Sequence, residues 1–273
     1  VTDTPRIVSW FSCGAASAVA TKLALTKWRE GETTHAGREE FVIAYCEIRE
    51  EHPDNARFLK DCERWFDHPV TVLGNDKYSR SAHEVFRKTR FLVGPTGARC
   101  TGELKKTVRF DFQKPNDLLV FGYTIEEKHR AERLMRSEIG IDFWPVLEEH
   151  HLTKGDCLAI LKRAQIGLPH MYKLGYRNNN CIGCVKGQAG YWNKIRVDFP
   201  EVFEEMAKIE EETGRTICKR EWTESGKRHL ERISLRDLPP DLGIYKAESD
   251  IECGIFCASA ADSMALGVVG EKD

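Results

Sequence analysis

The chain has 273 residues, 41% of them hydrophobic, enough for one large core or a core with an appendage. A formal net charge of -2 excludes a protein that holds nucleic acid mainly by bulk electrostatics, although it leaves room for a local basic groove. No apolar run is long enough to span a bilayer and the N-terminus lacks a signal-peptide pattern; the expected location is the cytoplasm, where ten cysteines point to metal binding or thiol chemistry rather than to structural disulfides.

In chain order, residues 7–11 read as a short buried strand and residues 15–25, rich in Ala, Leu and Lys, as a helix. Between them lies a bend of Ser12, Cys13 and Gly14, with Ser17 in the helix's first turn. Such a bend brings backbone amides, hydroxyls and a helix N-terminus to a point that an anion can approach closely. A plain strand-to-helix connection uses the same residues, and composition alone does not separate the two. Further strands are expected at 39–48, 68–74, 117–124 and 142–147, and helical patterns at 52–66, 79–93 and 126–140, while residues 95–112 begin as a Gly-bearing loop and continue as a basic helix. This alternation predicts an α/β fold, a doubly wound, mostly parallel, Rossmann-like sheet whose ligands sit beyond the carboxyl ends of its strands. Ser12 to Ser17, Glu47 and Gly122 all fall at such ends. Past residue 187 the alternation stops. Residues 202–214 read as a charged amphipathic helix, and the remainder as polar and loosely built.

Cys181 and Cys184 have the spacing of a metal-binding pair, and Gly183 between them helps both sulfurs face one centre; the alternative is a turn without metal. Cys46, Cys62, Cys157 and Cys218 fall in strand or helix patterns and read as packed thiols. Lys105 and Lys106 follow Cys100 by about one helical turn, so at least one can face a bound phosphate or sulfate; otherwise they belong to a solvated helix face.

Four stretches carry a resemblance. SCGAAS at 12–17 is similar to a Ser-Gly-Gly-x-Asp-Ser phosphate loop, matching at Ser12, Gly14 and Ser17, with Cys13 in place of a Gly and Ala16 in place of the Asp. RCTGELKK at 99–106 is similar to Cys-Cys-x-x-Arg-Lys, with Thr101 where the second Cys would stand. LPHMYKLGYRNNNCIGC at 168–184 is similar to Pro-x-x-Tyr-x-x-Gly-Tyr followed by Cys-x-x-Cys. ECGI at 252–255 is similar to Glu-Cys-Gly-Ile/Leu-His, with Phe256 in place of the His. On these stretches the chain resembles the phosphoadenosine-phosphosulfate reductase family, within the adenine-nucleotide α-hydrolase superfamily. Glu47 resembles the Asp of the family's Asp-Thr-Gly-x-x-Phe-Pro-Glu-Thr stretch, and Arg130 with Glu127 resembles its Gly-x-Arg-x-x-Glu-Ser-x-x-Arg substrate stretch.

The resemblance implies a nucleotide-binding α/β domain over residues 1–200, which includes the Cys-x-x-Cys segment, and a helical and irregular extension over 201–273 that carries Cys253. It implies a [4Fe–4S] cluster on Cys100, Cys181 and Cys184, with one iron open or held by a fourth group. The alternative is zinc on Cys181, Cys184, Cys253 and Cys257. The nucleotide, adenylyl sulfate or its 3′-phosphorylated form, would rest its phosphates on Ser12, Gly14 and Ser17. Glu47, Gly122 and Tyr172 would line the same site, with the sulfate near Lys105, Arg130 and the cluster, and Glu127 as the acidic partner of Arg130. Cys253 would attack the sulfate sulfur as a thiolate, and a thioredoxin-type reductant would release sulfite. A reading of another class is an ATP-dependent, iron–sulfur-containing sulfurtransferase that thiolates a tRNA or DNA base. The Cys100–Thr101 departure favours it, while ECGI and the missing Asp at position 16 count against it. A third is a nucleotide-binding zinc protein without catalysis. None of these involves a membrane, and all allow a homo-oligomer.

Overall fold

The computed structural model describes residues 5–31, 37–94, 97–137 and 141–251. Its first strand, β1 (Arg6–Trp10), is buried at every residue, as a strand covered on both faces must be. A bend leads into α1 (Ala15–Arg29), followed by β2 (Glu40–Cys46), α2 (Asn55–Phe66), β3 (Val70–Leu73) and α3 (Ala82–Thr89). Next come β4 (Leu118–Val120), α4 (Lys128–Ser137), β5 (Asp142–Trp144) and α5 (Lys154–Arg163). The remaining long elements are α6 (Ala189–Asp198), α7 (Pro200–Thr213) and the strands β6 (Cys218–Glu224) and β7 (Lys227–Ile233). Among the described residues, no helix is long and apolar enough to cross a membrane.

The chain forms two compact units built from interleaved segments. Val1–Glu47, His52–Gly74 and Val108–Asn179 make the first; Ile48–Glu51, Asn75–Thr107 and Asn180–Asp273 make the second. Residues 75–107 and 180–200 lie in the second unit.

The first unit holds a parallel sheet of order β3-β2-β1-β4-β5 with helices around it, the expected Rossmann-like α/β arrangement. Strand order reverses at β1, since α1 carries the chain to β2 on one side while β4 pairs on the other. The crevice beyond the carboxyl ends of β1 and β4 is therefore the switch point at which such sheets take ligands. Ile7, Ile43 and Val120 from the strands, Ala18 and Leu25 from α1, and Phe58 and Phe66 from α2 share one core. Phe11 meets Phe66 edge-on at 5.6 Å, and burying each such ring contributes roughly 2–3 kcal/mol. At the opposite end of β1, Arg6 donates to both carboxylate oxygens of Asp117, at 2.8 and 3.1 Å, closing a buried ion pair.

In the second unit, α7 starts on Pro200 at its first turn and stops on Gly214 in the left-handed region, the usual asymmetry of helix ends. The segment expected to be loosely built contains a regular antiparallel hairpin, β6 with β7. Its turn residues, Ser225 and Gly226, both have positive φ (51° and 75°), as a two-residue loop matched to strand twist requires. Both faces of this ribbon are largely exposed, so it lacks the apolar alternation that marks a strand in sequence. Its base is fixed by the buried Glu210 of α7, whose carboxylate accepts from the Ile217 and Leu235 amides at 2.6 and 2.5 Å.

Candidate functional site

The bend after β1 is held by its own side chains. The Ser17 hydroxyl accepts from the Ser12 amide at 3.1 Å and donates to the Gly14 carbonyl at 3.0 Å, with the Ser12 hydroxyl also 3.1 Å away. Ser17 is buried and builds the turn, whereas Ser12 is exposed at its mouth. Cys13 takes a left-handed conformation (φ 53°), which favours glycine, while its side chain is buried in the core. Gly14 is the N-cap of α1 with extended backbone; a Cβ there would meet Ser12, Ser17 and Tyr172 only at ordinary contact distances of 3.6–3.9 Å. Gly122, just past β4, is different. A Cβ on it would fall 2.4 Å from the Ser17 nitrogen, so only glycine lets the two backbones touch.

Two side chains from the Tyr172 to Asn179 stretch brace this bend. The Tyr172 hydroxyl accepts from the Ala15 amide at 3.3 Å, and burial pushes the phenol up to about 12, so it stays protonated. The buried Asn179 amide donates to the Cys13 carbonyl and to Asn55, both at 2.7 Å. Sequence reasoning does not single out Asn179, because three consecutive asparagines give no sign of which one turns inward. Glu47 stands exposed at the end of β2, its amide bound to the Leu73 carbonyl at 2.9 Å. Glu127 and Arg130 form an ion pair, and the guanidinium lies 5.0 Å over the Tyr123 ring. Glu127 also completes a capping box with Thr124, so it builds the helix entrance as well as holding Arg130.

The second unit contains a recess lined by Cys100, Thr101, Lys105, Cys181 and Cys184, together with His83 and Glu50. Three local features shape it. Gly183 is left-handed (φ 74°), and a Cβ there would strike Val202 at 2.7 Å, so the Cys-x-x-Cys turn depends on it. The Ile182 amide donates to the Glu50 carbonyl at 2.9 Å, and the Cys184 amide to the Tyr191 hydroxyl at 2.9 Å. After Cys100 the helix widens into a π-turn over Gly102–Lys106, which takes Lys105 to only 8% exposure. Among the described residues, the buried Thr101 hydroxyl has no hydrogen-bond partner. Also among them, no group of three or more His, Cys, Asp or Glu could hold a metal ion. Burial holds the His83 imidazole below its ordinary value, opposed by Glu50 and Glu205. Neither His83 nor Glu50 is singled out by sequence. The Ser81-x-x-Glu84 pattern marks the helix start that carries His83, but nothing local signals its distant partner.

The structure thus groups Ser12, Gly14, Ser17, Gly122 and Tyr172 in the first unit, and Cys100, Lys105, Cys181 and Cys184 in the second. Cys46, Cys62, Cys157 and Cys218 are buried, and burial raises the last three thiols, Cys157 and Cys218 to about 12, as suits packed side chains. Cys253 and Cys257 lie outside the described residues. No family model, no curated protein and no solved structure matches the chain.

Proposed function

We propose that this chain is a sulfonucleotide reductase-like enzyme of the adenine-nucleotide α-hydrolase type, acting on adenylyl sulfate or its 3′-phosphorylated form. One observation carries the reading: Cys100, Cys181 and Cys184, from distant parts of the sequence, line one recess beside the buried Lys105. Their donor chemistry suits an iron–sulfur cluster. Thiolates on a cubane bind different irons, so their sulfurs stand farther apart than around a single ion. The Thr101 hydroxyl, without a partner among the described residues, could donate to a cluster sulfide. Bound there, a cluster would supply a fixed charged centre next to Lys105.

The rest of the reading concerns the chain's own residues. The exposed Ser12 hydroxyl and the entrance of α1 would take the nucleotide's phosphates at the switch point, and Gly14 would admit them close to the backbone. Arg130, held by Glu127, is a candidate for the sulfate or a phosphate. In the second unit, the Ile251 carbonyl accepts from Asn180, next to Cys181, at 3.2 Å; Cys253 follows two residues later in the chain. The Cys253 thiolate would attack the sulfate sulfur, and the S–O bond to the nucleotide phosphate would break, its electron pair leaving with the nucleotide. A reductant thiolate then attacks the Cys253 sulfur of the resulting thiosulfonate, and sulfite departs with the S–S electron pair. The reductant's second thiol resolves the mixed disulfide, so a dithiol supplies both electrons.

Thr101 at the place of a second cysteine also fits the sulfurtransferase reading, in which an open iron carries sulfur to a tRNA or DNA base. The test is sulfite release from both sulfonucleotides with thioredoxin present, beside pyrophosphate release from ATP with tRNA or DNA. Sulfite release supports the reductase. Nucleic-acid-stimulated ATP cleavage with no sulfite from either substrate overturns it.

A further inference from the structure

Three cysteines satisfy three corners of a cubane, and the residues around the recess differ in what they can give the fourth. A lysine ammonium has no lone pair to give, and a neutral threonine hydroxyl, though it has lone pairs, is a much weaker iron ligand than an imidazole, which sets Lys105 and Thr101 aside. Glu50 is already committed: its carboxylate accepts from the Ser81 hydroxyl at 2.5 Å and from the Ala82 amide at 2.7 Å, capping α3. His83 remains.

We infer that His83 is the fourth protein ligand of the cluster, binding through Nε2 while Glu50 stands behind Nδ1. The inference rests on the reading that the recess holds a cluster. His83 lines the same recess as Cys100, Cys181 and Cys184, and its side chain is only 18% exposed. Its Nδ1 lies 3.8 Å from the Glu50 carboxylate. At that distance the carboxylate faces Nδ1 without a hydrogen bond; closing to one on cluster binding would fix the ring and leave the other nitrogen for the metal, the usual support of a ligating histidine. The ring is also delivered by a rigid element. His83 is the second residue of α3, whose N-cap Ser81 accepts from the Glu84 amide at 3.2 Å. Imidazole is an established ligand to iron in iron–sulfur centres.

The experiment compares full-length wild type, His83→Ala, His83→Cys and Thr101→Val, reconstituted anaerobically with iron and sulfide, by pulsed paramagnetic resonance of the reduced cluster. In wild type a strong, directly bonded nitrogen coupling is expected, changing isotope when the protein is grown on 15N-histidine. It should vanish in His83→Ala and His83→Cys and persist in Thr101→Val. The added negative charge of a thiolate should also lower the midpoint potential of His83→Cys. A wild-type cluster with no histidine nitrogen coupling, or a coupling that survives in His83→Ala, overturns the assignment of His83 and leaves the cluster reading standing. Wild type that takes up no iron and sulfide overturns the cluster reading itself and His83 with it.

Discussion

A Cβ on Gly122 would lie 2.4 Å from the backbone nitrogen of Ser17 and 2.6 Å from its Cα. The chain leaving β4 and the first turn of α1 are therefore in backbone contact, at the point where the sheet reverses its strand order. Side chains can give way; two backbones cannot without moving α1. Gly122→Ala should cost about 2–3 kcal/mol, at the upper end of overpacking penalties, and should weaken nucleotide binding by displacing the Ser12 to Ser17 bend. Urea unfolding checks the first and calorimetry with an adenine nucleotide the second. An unchanged unfolding midpoint would show that the contact relaxes freely.

Gly14 makes the complementary case. Its backbone is extended and a Cβ would touch its neighbours only at ordinary distances, so the fold does not require glycine here. Gly14→Val should therefore leave the unfolding free energy within about 1 kcal/mol of wild type while abolishing nucleotide binding, because its methyl groups occupy the approach to the α1 amides. Unchanged affinity in this variant would reduce the bend to a connection. Together the two glycines separate what the fold needs from what the ligand needs.

The central strands were legible because Phe41–Cys46 and Leu118–Val120 are unbroken apolar runs and Ser9 alone interrupts the run from Ile7 to Phe11, as suits strands buried on both faces. Cys13 is legible only through its resemblance to a glycine of the phosphate loop; its left-handed backbone supplies the physical reason for that glycine. The hairpin was not legible, because Lys219, Glu221 and Thr223 on one face and Arg220, Trp222 and Glu224 on the other are all exposed. The approach of Glu50 to His83 was hidden for another reason. It joins a loop residue to the start of α3, and no spacing rule connects positions so far apart.

Glu210 should make stability depend on pH. Burial is the largest influence on its carboxyl and raises it to about 7, against the lowering effect of the Leu235 and Ile217 amides. Folding therefore favours the uncharged acid. Its contribution is complete below the ordinary glutamate range, declines as pH rises from there to about 7, and is constant above. The loss amounts to about 3 kcal/mol at most. Urea unfolding at pH 5 and pH 8 should show this decline in wild type, and Glu210→Gln should lack it even if the amide lowers stability at every pH. An equal difference between the two pH values in both proteins would assign the titration elsewhere.

The last prediction concerns the reaction. A nucleophile must be free to leave the nucleotide and meet a bulky thiol reductant, which a cluster ligand cannot do without losing its metal. Cys253 and the recess cysteines should therefore respond differently to the same substitution. Cys181→Ser should bleach the visible absorption of anaerobically prepared protein, while Cys253→Ser should keep that absorption and wild-type nucleotide affinity. Cys253→Ser should nevertheless lose thiol-dependent sulfite release by at least about three orders of magnitude, because serine is far less nucleophilic at neutral pH. Cys257→Ser should keep much of the activity. In a single turnover without reductant, wild type incubated with sulfonucleotide should gain the mass of one sulfonate group on the peptide that carries Cys253, and added dithiol should remove it as sulfite. Sulfite release that persists in Cys253→Ser, or a sulfonate that forms on another cysteine, would move the nucleophile elsewhere in the chain.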